Sequence, residues 1–188
     1  MPQLGKPDPQ NDSLYKRLGL GENASLEKIK KAFFDAVKIF PPEKDPENYK
    51  LIREAYDILK KPVSRNEYNT RTQFGIELER LENELKEYEE AEDLDGQIRI
   101  IKRILNFAPK LGLYRNKLGL AFMEQEQFGY AYQQFNKAYL TDESNPVYIL
   151  NMGHAQEGRD KYLEAEKLFQ EAWNLDLEDY NPPRALAS

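Results

Sequence analysis

The sequence predicts an all-α protein on three observations. Apolar residues recur at spacings of three and four along most of the chain, which is typical of amphipathic helices. Prolines that end helices separate these stretches, notably Pro41, Pro42 and Pro62. Between residues 112 and 179, small and aromatic residues also recur with a period of 34. We therefore expect helical hairpins throughout, in two units of different construction.

The composition excludes several classes of function. Cysteine is absent, which excludes disulfides and thiolate zinc sites, and a single histidine leaves a metal centre almost only carboxylates. The sequence contains no stretch of about 18 apolar residues that could span a membrane as a helix. Residues 1–12 also lack the apolar segment of a signal peptide. We expect a cytoplasmic protein without metal or cofactor, in which residues 1–11 form a disordered leader.

The charge distribution separates the chain into two parts. Residues 1–70 carry 13 basic and 11 acidic side chains, whereas residues 71–188 carry 14 and 22. Nucleic acid is a poor partner for the acidic part, because phosphates require basic side chains for neutralisation. The change of sign near residue 70 indicates a boundary between two units.

Residues 12–70 predict three helices followed by a turn. A short helix over "DSLYKRLGL" ends at Gly19. The second begins after Ser25, a good N-cap residue, and ends at Pro41. The third covers "ENYKLIREAYDILKK" and ends before Pro62, and a final turn is expected around Ser64–Tyr68. The two longer helices each carry an apolar stripe and therefore form a hairpin.

This unit resembles a J-domain, in order and in register. The matching residues are Tyr15, Leu18-Gly19-Leu20, Ala24-Ser25, Ile29-Lys30-Lys31-Ala32-Phe33, Tyr49, Ile52, Ala55-Tyr56, Leu59, Pro62, Arg65 and Tyr68. The resemblance implies a His-Pro-Asp loop that activates the ATPase of a partner heat-shock chaperone. Here Pro41, Pro42 and Glu43 stand in that loop. The resemblance thus implies the fold, while these residues argue against that activity and against a heat-shock chaperone as a partner.

The second helix departs from the J-domain pattern as well. J-domains often carry two basic residues after the aromatic residue of this helix, and the positions here are Phe34 and Asp35. We expect a docking platform in which Phe34, Asp35 and Lys38 form the contact surface. The alternative is a hairpin kept only to cap the next unit. Phe34 itself either anchors a contact from the surface or packs against the downstream helices.

The second unit contains the repeat. Gly119, Ala131, Phe135 and Ala138 recur as Gly153, Ala165, Phe169 and Ala172. Residues 112–145 and 146–179 therefore resemble two tetratricopeptide (TPR) repeats, which stack into a short solenoid. Residues 71–111 are expected to form a bridging helix and a degenerate third repeat, with Leu85 and Gln97 at its glycine and alanine positions.

The end of the predicted solenoid leaves a face without a further repeat. Residues 180–188 form a tail that is too short for a full capping helix. The outer face near Leu168, Trp173 and Leu175 is therefore either an interface or covered by this tail.

The TPR resemblance implies a concave protein-binding groove. Its expected positions are Leu113, Asn116, Leu120, Met123, Glu124, Val147, Leu150, His154 and Glu157, with Glu82, Lys86 and Glu89 from the degenerate repeat. An apolar strip rimmed by acidic residues suits an amphipathic, basic helix or loop. A clamp for a carboxylate is disfavoured, because the basic residues are not assembled. Alternatively, several of these residues belong to the core of the repeats, Leu120 in particular.

No pattern indicates catalysis. The chain has no phosphate-binding glycine loop, and His154 has no serine or cysteine partner in a recognisable nucleophile setting. We therefore expect a non-enzymatic protein–protein adaptor or scaffold, either an assembly factor or a structural subunit of a larger complex. The alternative is a co-chaperone of a DnaK-type heat-shock chaperone.

Overall fold

Helices make up the regular structure of the protein. The computed structural model describes residues 5–179, and the side chains of residues 5–175. The helices are α1 (Leu14–Arg17), α2 (Leu26–Ile39), α3 (Pro46–Leu59), α4 (Pro62–Glu90), α5 (Leu94–Phe107), α6 (Gly112–Glu124), α7 (Phe128–Tyr139), α8 (Pro146–Glu157) and α9 (Tyr162–Asp179). Within residues 5–179 there is no strand, so the all-α prediction is confirmed. The first four residues of the predicted leader and the predicted tail, residues 180–188, lie outside the described residues.

Local chemistry fixes the ends of the first helices. Gly19, just after α1, has a φ of 68°, a left-handed conformation that glycine adopts without strain. The hydroxyl of Ser25 accepts a hydrogen bond from the backbone amide of Lys28 at 3.3 Å and caps α2 as predicted. The helix ends at Ile39, directly before Phe40 and the two prolines.

The expected turn around Ser64–Tyr68 is wrong, because these residues lie inside α4. Pro62 ends α3, as predicted, but it also stands at the first position of the next helix. Proline is favoured there because the backbone N–H that it lacks would have no partner within the helix, and because its fixed φ suits a helix. The helix continues to Glu90, with non-helical dihedral angles at Phe74.

The chain packs as two compact units, one up to Asn69 and one from Thr70. In the first unit, α2 and α3 bury Ile29, Phe33 and Ile52 in one apolar core. The ring of Phe33 stacks on that of Tyr56, with centroids 4.2 Å apart. This packing matches the two stripes read from the sequence and holds the connection between α2 and α3 on the surface.

A hydrogen-bond network ties the start of α4 to this core. The Tyr15 hydroxyl accepts from Arg65 Nε at 2.7 Å and donates to Asn69 Oδ1 at 3.0 Å. Arg65 Nη2 also donates to the backbone oxygens of Ala24 at 2.7 Å and Glu22 at 3.2 Å. The Arg65 guanidinium further lies over the Tyr15 ring, 5.3 Å from its centroid. One arginine therefore joins three segments of the first unit.

The second unit repeats one turn geometry three times. Glu92, Glu126 and Asp160 have φ values of 54°, 57° and 58°, and they are spaced 34 residues apart. In each turn, the amide of the following residue donates to the carbonyl oxygen five residues before it, at 2.8–3.0 Å. Three successive hairpins, α4–α5, α6–α7 and α8–α9, are thus closed in the same way.

The packing inside the hairpins also repeats. A Cβ added to Gly119 would lie 2.4 Å from the Phe135 ring, and one added to Gly153 would lie 2.3 Å from the Phe169 ring. The first hairpin reverses this arrangement. Gly96, on its second helix, makes room for the Tyr88 ring on its first helix, at 2.2 Å from an added Cβ. Close helix contact is therefore retained where the glycine position of the repeat is Leu85.

No helix in residues 5–179 has the length and apolar character needed to cross a membrane.

Candidate functional site

The Pro41-Pro42-Glu43 segment forms an exposed turn between α2 and α3. The carbonyl oxygen of Pro41 accepts hydrogen bonds from the amides of Lys44 at 3.0 Å and Asp45 at 2.8 Å. Pro41 is half-buried, whereas Pro42 and Glu43 are exposed. The turn therefore presents a proline ring and a carboxylate to solvent.

Asp45 closes this turn as the N-cap of α3. The Asn48 side-chain amide donates to Asp45 Oδ2 at 2.8 Å, and the Asn48 backbone amide donates to Oδ1 at 3.3 Å. The first of these is the larger cause that holds the pKa of Asp45 below the 3.8 of a free aspartate. The cap fixes where the exposed turn ends and α3 begins.

Titration of the Asp45 carboxyl carbon by nuclear magnetic resonance is expected to give a midpoint below 3.8. Because the folded-state pKa lies below the unfolded one, the cap contributes stability above the ordinary aspartate pKa. That contribution is lost as the pH falls through the folded-state pKa. The variant Asn48→Ala should move the midpoint back towards 3.8. An unchanged midpoint in this variant would show that the hydrogen bond is not the cause.

The predicted contact residues on α2 lie on the surface of the first unit. Phe34 is 52 % exposed, and its ring lies 5.5 Å from that of buried Phe33. Lys38 Nζ pairs with Asp35 Oδ1 at 2.9 Å, and this hydrogen bond holds the pKa of Asp35 below its usual range. The surface thus offers an aromatic ring beside a neutralised ion pair.

The predicted groove residues on α6 fall into two groups. Leu113, Leu120 and Glu124 are exposed, so Leu120 does not belong to the core. Met123 is half-buried against the core of the second unit. Asn116 is buried, and its side-chain oxygen accepts a hydrogen bond from Asn151 Nδ2 on α8 at 2.8 Å. This pairing engages the two amides with each other and joins successive hairpins.

The structure brings the predicted groove residues of α8 together in one depression. Its volume is about 510 Å³, within the range of ligand clefts. The lining comprises Pro146, Val147, Leu150, His154 and Glu157 of α8 and Phe169, Ala172 and Trp173 of α9. This apolar depression is called the end groove below. The exposed residues of α6 do not line it.

Four residues of the end groove were not among the predicted groove positions. They are Pro146 on α8 and Phe169, Ala172 and Trp173 on α9, of which Trp173 is 62 % exposed. The 34-residue period contains the signal that could have found them. Phe169 corresponds to the buried Phe135, so its ring lies at the junction where a further hairpin would pack.

The polar groups of the end groove do not form a catalytic arrangement. His154 Nδ1 lies 3.0 Å from Glu157 Oε2, and both side chains are about half exposed. Within residues 5–175, neither side chain is hydrogen-bonded to a serine or threonine hydroxyl. Across residues 5–175, no group of three histidine, aspartate or glutamate side chains is placed to hold a metal ion.

Comparison with protein-family models identifies a DnaJ domain at residues 13–69. The match begins at the N-cap of α1 and ends in α4, so it includes the exposed turn and the α2 surface.

Curated relatives align mainly through this domain. Chaperone protein DnaJ 1 of Mycobacterium leprae is 38 % identical over 60 residues, which cover 29 % of this chain and 16 % of that protein. Chaperone protein DnaJ of Thermoplasma acidophilum is 42 % identical over 62 residues, which cover 29 % and 17 %. A putative J domain-containing protein of Acanthamoeba polyphaga mimivirus is 28 % identical over 185 residues, which cover 89 % and 46 %. The chain therefore spans less than half the length of these relatives.

These matches correct the expectation about partners. J domains bind heat-shock chaperones of the DnaK type. The inference from Pro41, Pro42 and Glu43 that such a chaperone is not a partner is therefore wrong. The DnaJ-domain match covers residues 13–69, which include this loop. The chain carries a chaperone-related domain.

Proposed function

We propose that this protein is a non-enzymatic, chaperone-related adaptor that acts in the cytoplasm. Its J domain contacts a DnaK-type chaperone, and its second unit binds another protein. The observation that carries this proposal is a DnaJ domain on the same chain as an open apolar groove. J-domain proteins are generally co-chaperones without enzymatic activity of their own. The absence of cysteine fits a reducing compartment.

We assign residues 78–179 of the second unit to a short TPR solenoid of three hairpins. The support is the shared turn geometry at Glu92, Glu126 and Asp160 and the repeated contact of a helix glycine with an aromatic ring. Stacked hairpins of this kind build extended surfaces for protein partners. The second unit is thereby the part that selects what is brought to the chaperone.

The loop residues favour docking with little activation of the chaperone. In the J-domain pattern, the place of Pro41 is held by histidine and that of Glu43 by aspartate. Proline has neither an imidazole N–H nor a backbone N–H to donate. The Glu43 carboxylate stands one methylene further from the backbone than an aspartate would. We infer that the contact with the chaperone is retained on α2, through Phe34, Asp35 and Lys38, while stimulation of ATP hydrolysis is weak.

The test measures both capture and ATP turnover of a purified DnaK-type chaperone. The wild-type chain is expected to be captured, with little stimulation of ATP turnover. The double variant Pro41→His, Glu43→Asp is expected to raise the stimulation about tenfold, equivalent to roughly 1.4 kcal/mol of barrier. The single variant Phe34→Ala should weaken capture, because an exposed aromatic anchor is lost.

The chain offers a matched control for the loop variant. Pro46 and Glu47 follow one another in the first turn of α3, and both are exposed. The variant Pro46→His, Glu47→Asp makes the same chemical change outside the loop and should leave ATP turnover at the wild-type value. Equal stimulation by both double variants would contradict the role assigned to the loop. Absence of any capture would contradict the chaperone contact itself.

A fully active co-chaperone is the second candidate. It is favoured by the family match, which spans α1, α2, α3 and the start of α4. In that case the wild-type chain stimulates ATP turnover as strongly as the Pro41→His, Glu43→Asp variant. The same assay therefore separates the two candidates.

A further inference from the structure

Part of the end groove repeats a surface that α8 covers one hairpin earlier, although Leu113 and Leu120, the equivalents of Val147 and His154, are exposed. Shifting its lining residues by 34 positions gives residues on α6 and α7, where α8 packs. Asn116, the equivalent of Leu150, is 9 % exposed and bonded to Asn151 of α8, whereas Leu150 is 41 % exposed. Phe135 is fully buried, whereas its equivalent Phe169 is half-buried. The α8–α9 hairpin thus presents the equivalent position without a helix on it in the described residues, with Leu150 in place of Asn116 and Pro146 in place of Gly112.

The contacts that α8 makes on α6 and α7 indicate which kind of helix would fit the end groove. The Tyr148 hydroxyl lies against Gly112, 3.1 Å from an added Cβ. The Asn151 side chain donates a hydrogen bond to Asn116. Met152 and Ala155 are buried in the core that includes Phe135. These residues of α8 are spaced by three and four, so they form one stripe. A ligand for the end groove therefore needs a helix with an apolar and small-residue stripe.

The charge around the groove specifies the flanks of that helix. Glu157 lines the end groove and, with Glu166, an adjoining depression that shares Phe169 and Trp173. Among the described residues that line these two depressions there is no lysine or arginine. Basic side chains on a bound helix would be attracted to the two carboxylates.

The α4 helix of a second copy, stacked head to tail, does not supply such a stripe. The first helix of the second unit is α4. Two 34-residue periods before the α8 stripe, the equivalent residues on α4 are Arg80, Asn83, Glu84 and Glu87. Arg80 is hydrogen-bonded to Glu84 at 3.4 Å on this helix. Head-to-tail stacking of two copies would place this charged face of α4 on the apolar end groove. The charged side chains would then lose their hydration, which costs free energy.

We propose that the end groove binds an amphipathic helix of another protein, with lysine or arginine beside its apolar stripe. The bound helix takes the position on α8 and α9 that α8 takes on α6 and α7. This inference rests on the proposed adaptor function and names the class of ligand for its second unit.

The test uses the full chain and a synthetic peptide as the probe. The peptide has the sequence of residues 144–161 with Asn151→Leu, because Leu150 stands where the asparagine partner would be, and with the positions outside the contact stripe changed: Val147→Lys, Leu150→Lys, Gly153→Ala, His154→Lys and Glu157→Lys. Trp173 is the single tryptophan of the chain and lines the groove, so its fluorescence reports occupancy. We expect a saturable blue shift with a Kd of about 10–100 µM, typical of a short helix in a groove.

Two controls separate specific docking from charge attraction. A peptide that also carries Met152→Asn and Ala155→Asn has the same charge without the apolar stripe and should not shift the emission. In the protein, Leu150→Lys should weaken binding at least about tenfold. Leu140→Lys makes the same change at an exposed leucine outside the groove and should leave binding unchanged.

Three outcomes would overturn the inference. One is equal binding of the two peptides, or no binding of the first. Another is a blue-shifted Trp173 emission in the free chain that Leu150→Lys shifts to the red, because residues of the chain itself then cover the groove. The third is a concentration-dependent dimer that Leu150→Lys dissociates. Capture of the DnaK-type chaperone is measured on the same proteins. Peptide binding without capture by the wild-type chain would contradict the J-domain half of the adaptor function alone, and capture without peptide binding would contradict the end groove alone.

Discussion

Replacing Phe135 with alanine is expected to lower the free energy of unfolding of the second unit by about 3–5 kcal/mol. The ring is fully buried and fills the space that Gly119 leaves open, so truncation creates a cavity at the centre of the α6–α7 hairpin. The loss is large because the neighbouring helices relax only partly into such a space. Urea denaturation followed by the fluorescence of Trp173, which lies in the same unit, measures it.

The control for this prediction lies on the same helix. Tyr130 is 59 % exposed, and its ring contacts that of Phe122 at 5.7 Å between centroids. The variant Tyr130→Ala removes an aromatic side chain of similar size and should cost about 1 kcal/mol or less. Similar losses for both variants would mean that the glycine–phenylalanine contact does not hold the hairpin together.

Replacing Arg65 with alanine is expected to lower the free energy of unfolding of the first unit by about 2–4 kcal/mol. The variant loses hydrogen bonds to the Tyr15 hydroxyl and to the carbonyl oxygens of Ala24 and Glu22. Hydrogen exchange of the Ile29 and Ile52 amides, both in the core helices of this unit, reports the change. The expected result is faster exchange at both amides.

Two further variants test the reason for this effect. Arg65→Lys should restore only part of the protection, because one ammonium cannot reproduce the planar fork of a guanidinium. Arg53→Ala removes an arginine that, like its partner Asp57, is about half exposed, and should leave the exchange rates near those of the wild type. Equal acceleration in Arg65→Ala and Arg53→Ala would indicate a general effect of charge.

The sequence predicted the helices of the first unit well because their ends depend on single residues. Gly19, Ser25 and Pro41 act through dihedral preferences and side-chain caps that involve only near neighbours in the chain. The error at Ser64–Tyr68 has a local cause too. Proline both ends one helix and starts another, and the sequence was read only for the first role.

The candidate sites were harder to predict because exposure depends on what packs above a residue. Asn116 and Leu150 occupy the same position in successive repeats, yet one is buried against α8 and the other is open. The 34-residue period placed both on the same face and could not show which of them is covered. Loop chemistry was also read too far, since the DnaJ-domain match at residues 13–69 conflicts with excluding a heat-shock chaperone on the basis of Pro41, Pro42 and Glu43.

The sequence by itself determined the helical class, the ends of α2 and α3 and the 34-residue repeat, because each follows from local propensity or spacing. The tertiary structure alone decided that the Asn116 amide is engaged by Asn151 and that Phe169 and Trp173 join Leu150 in one groove. The physical reason is that burial and hydrogen bonding between hairpins depend on residues about 35 positions apart, which meet only when the helices stack.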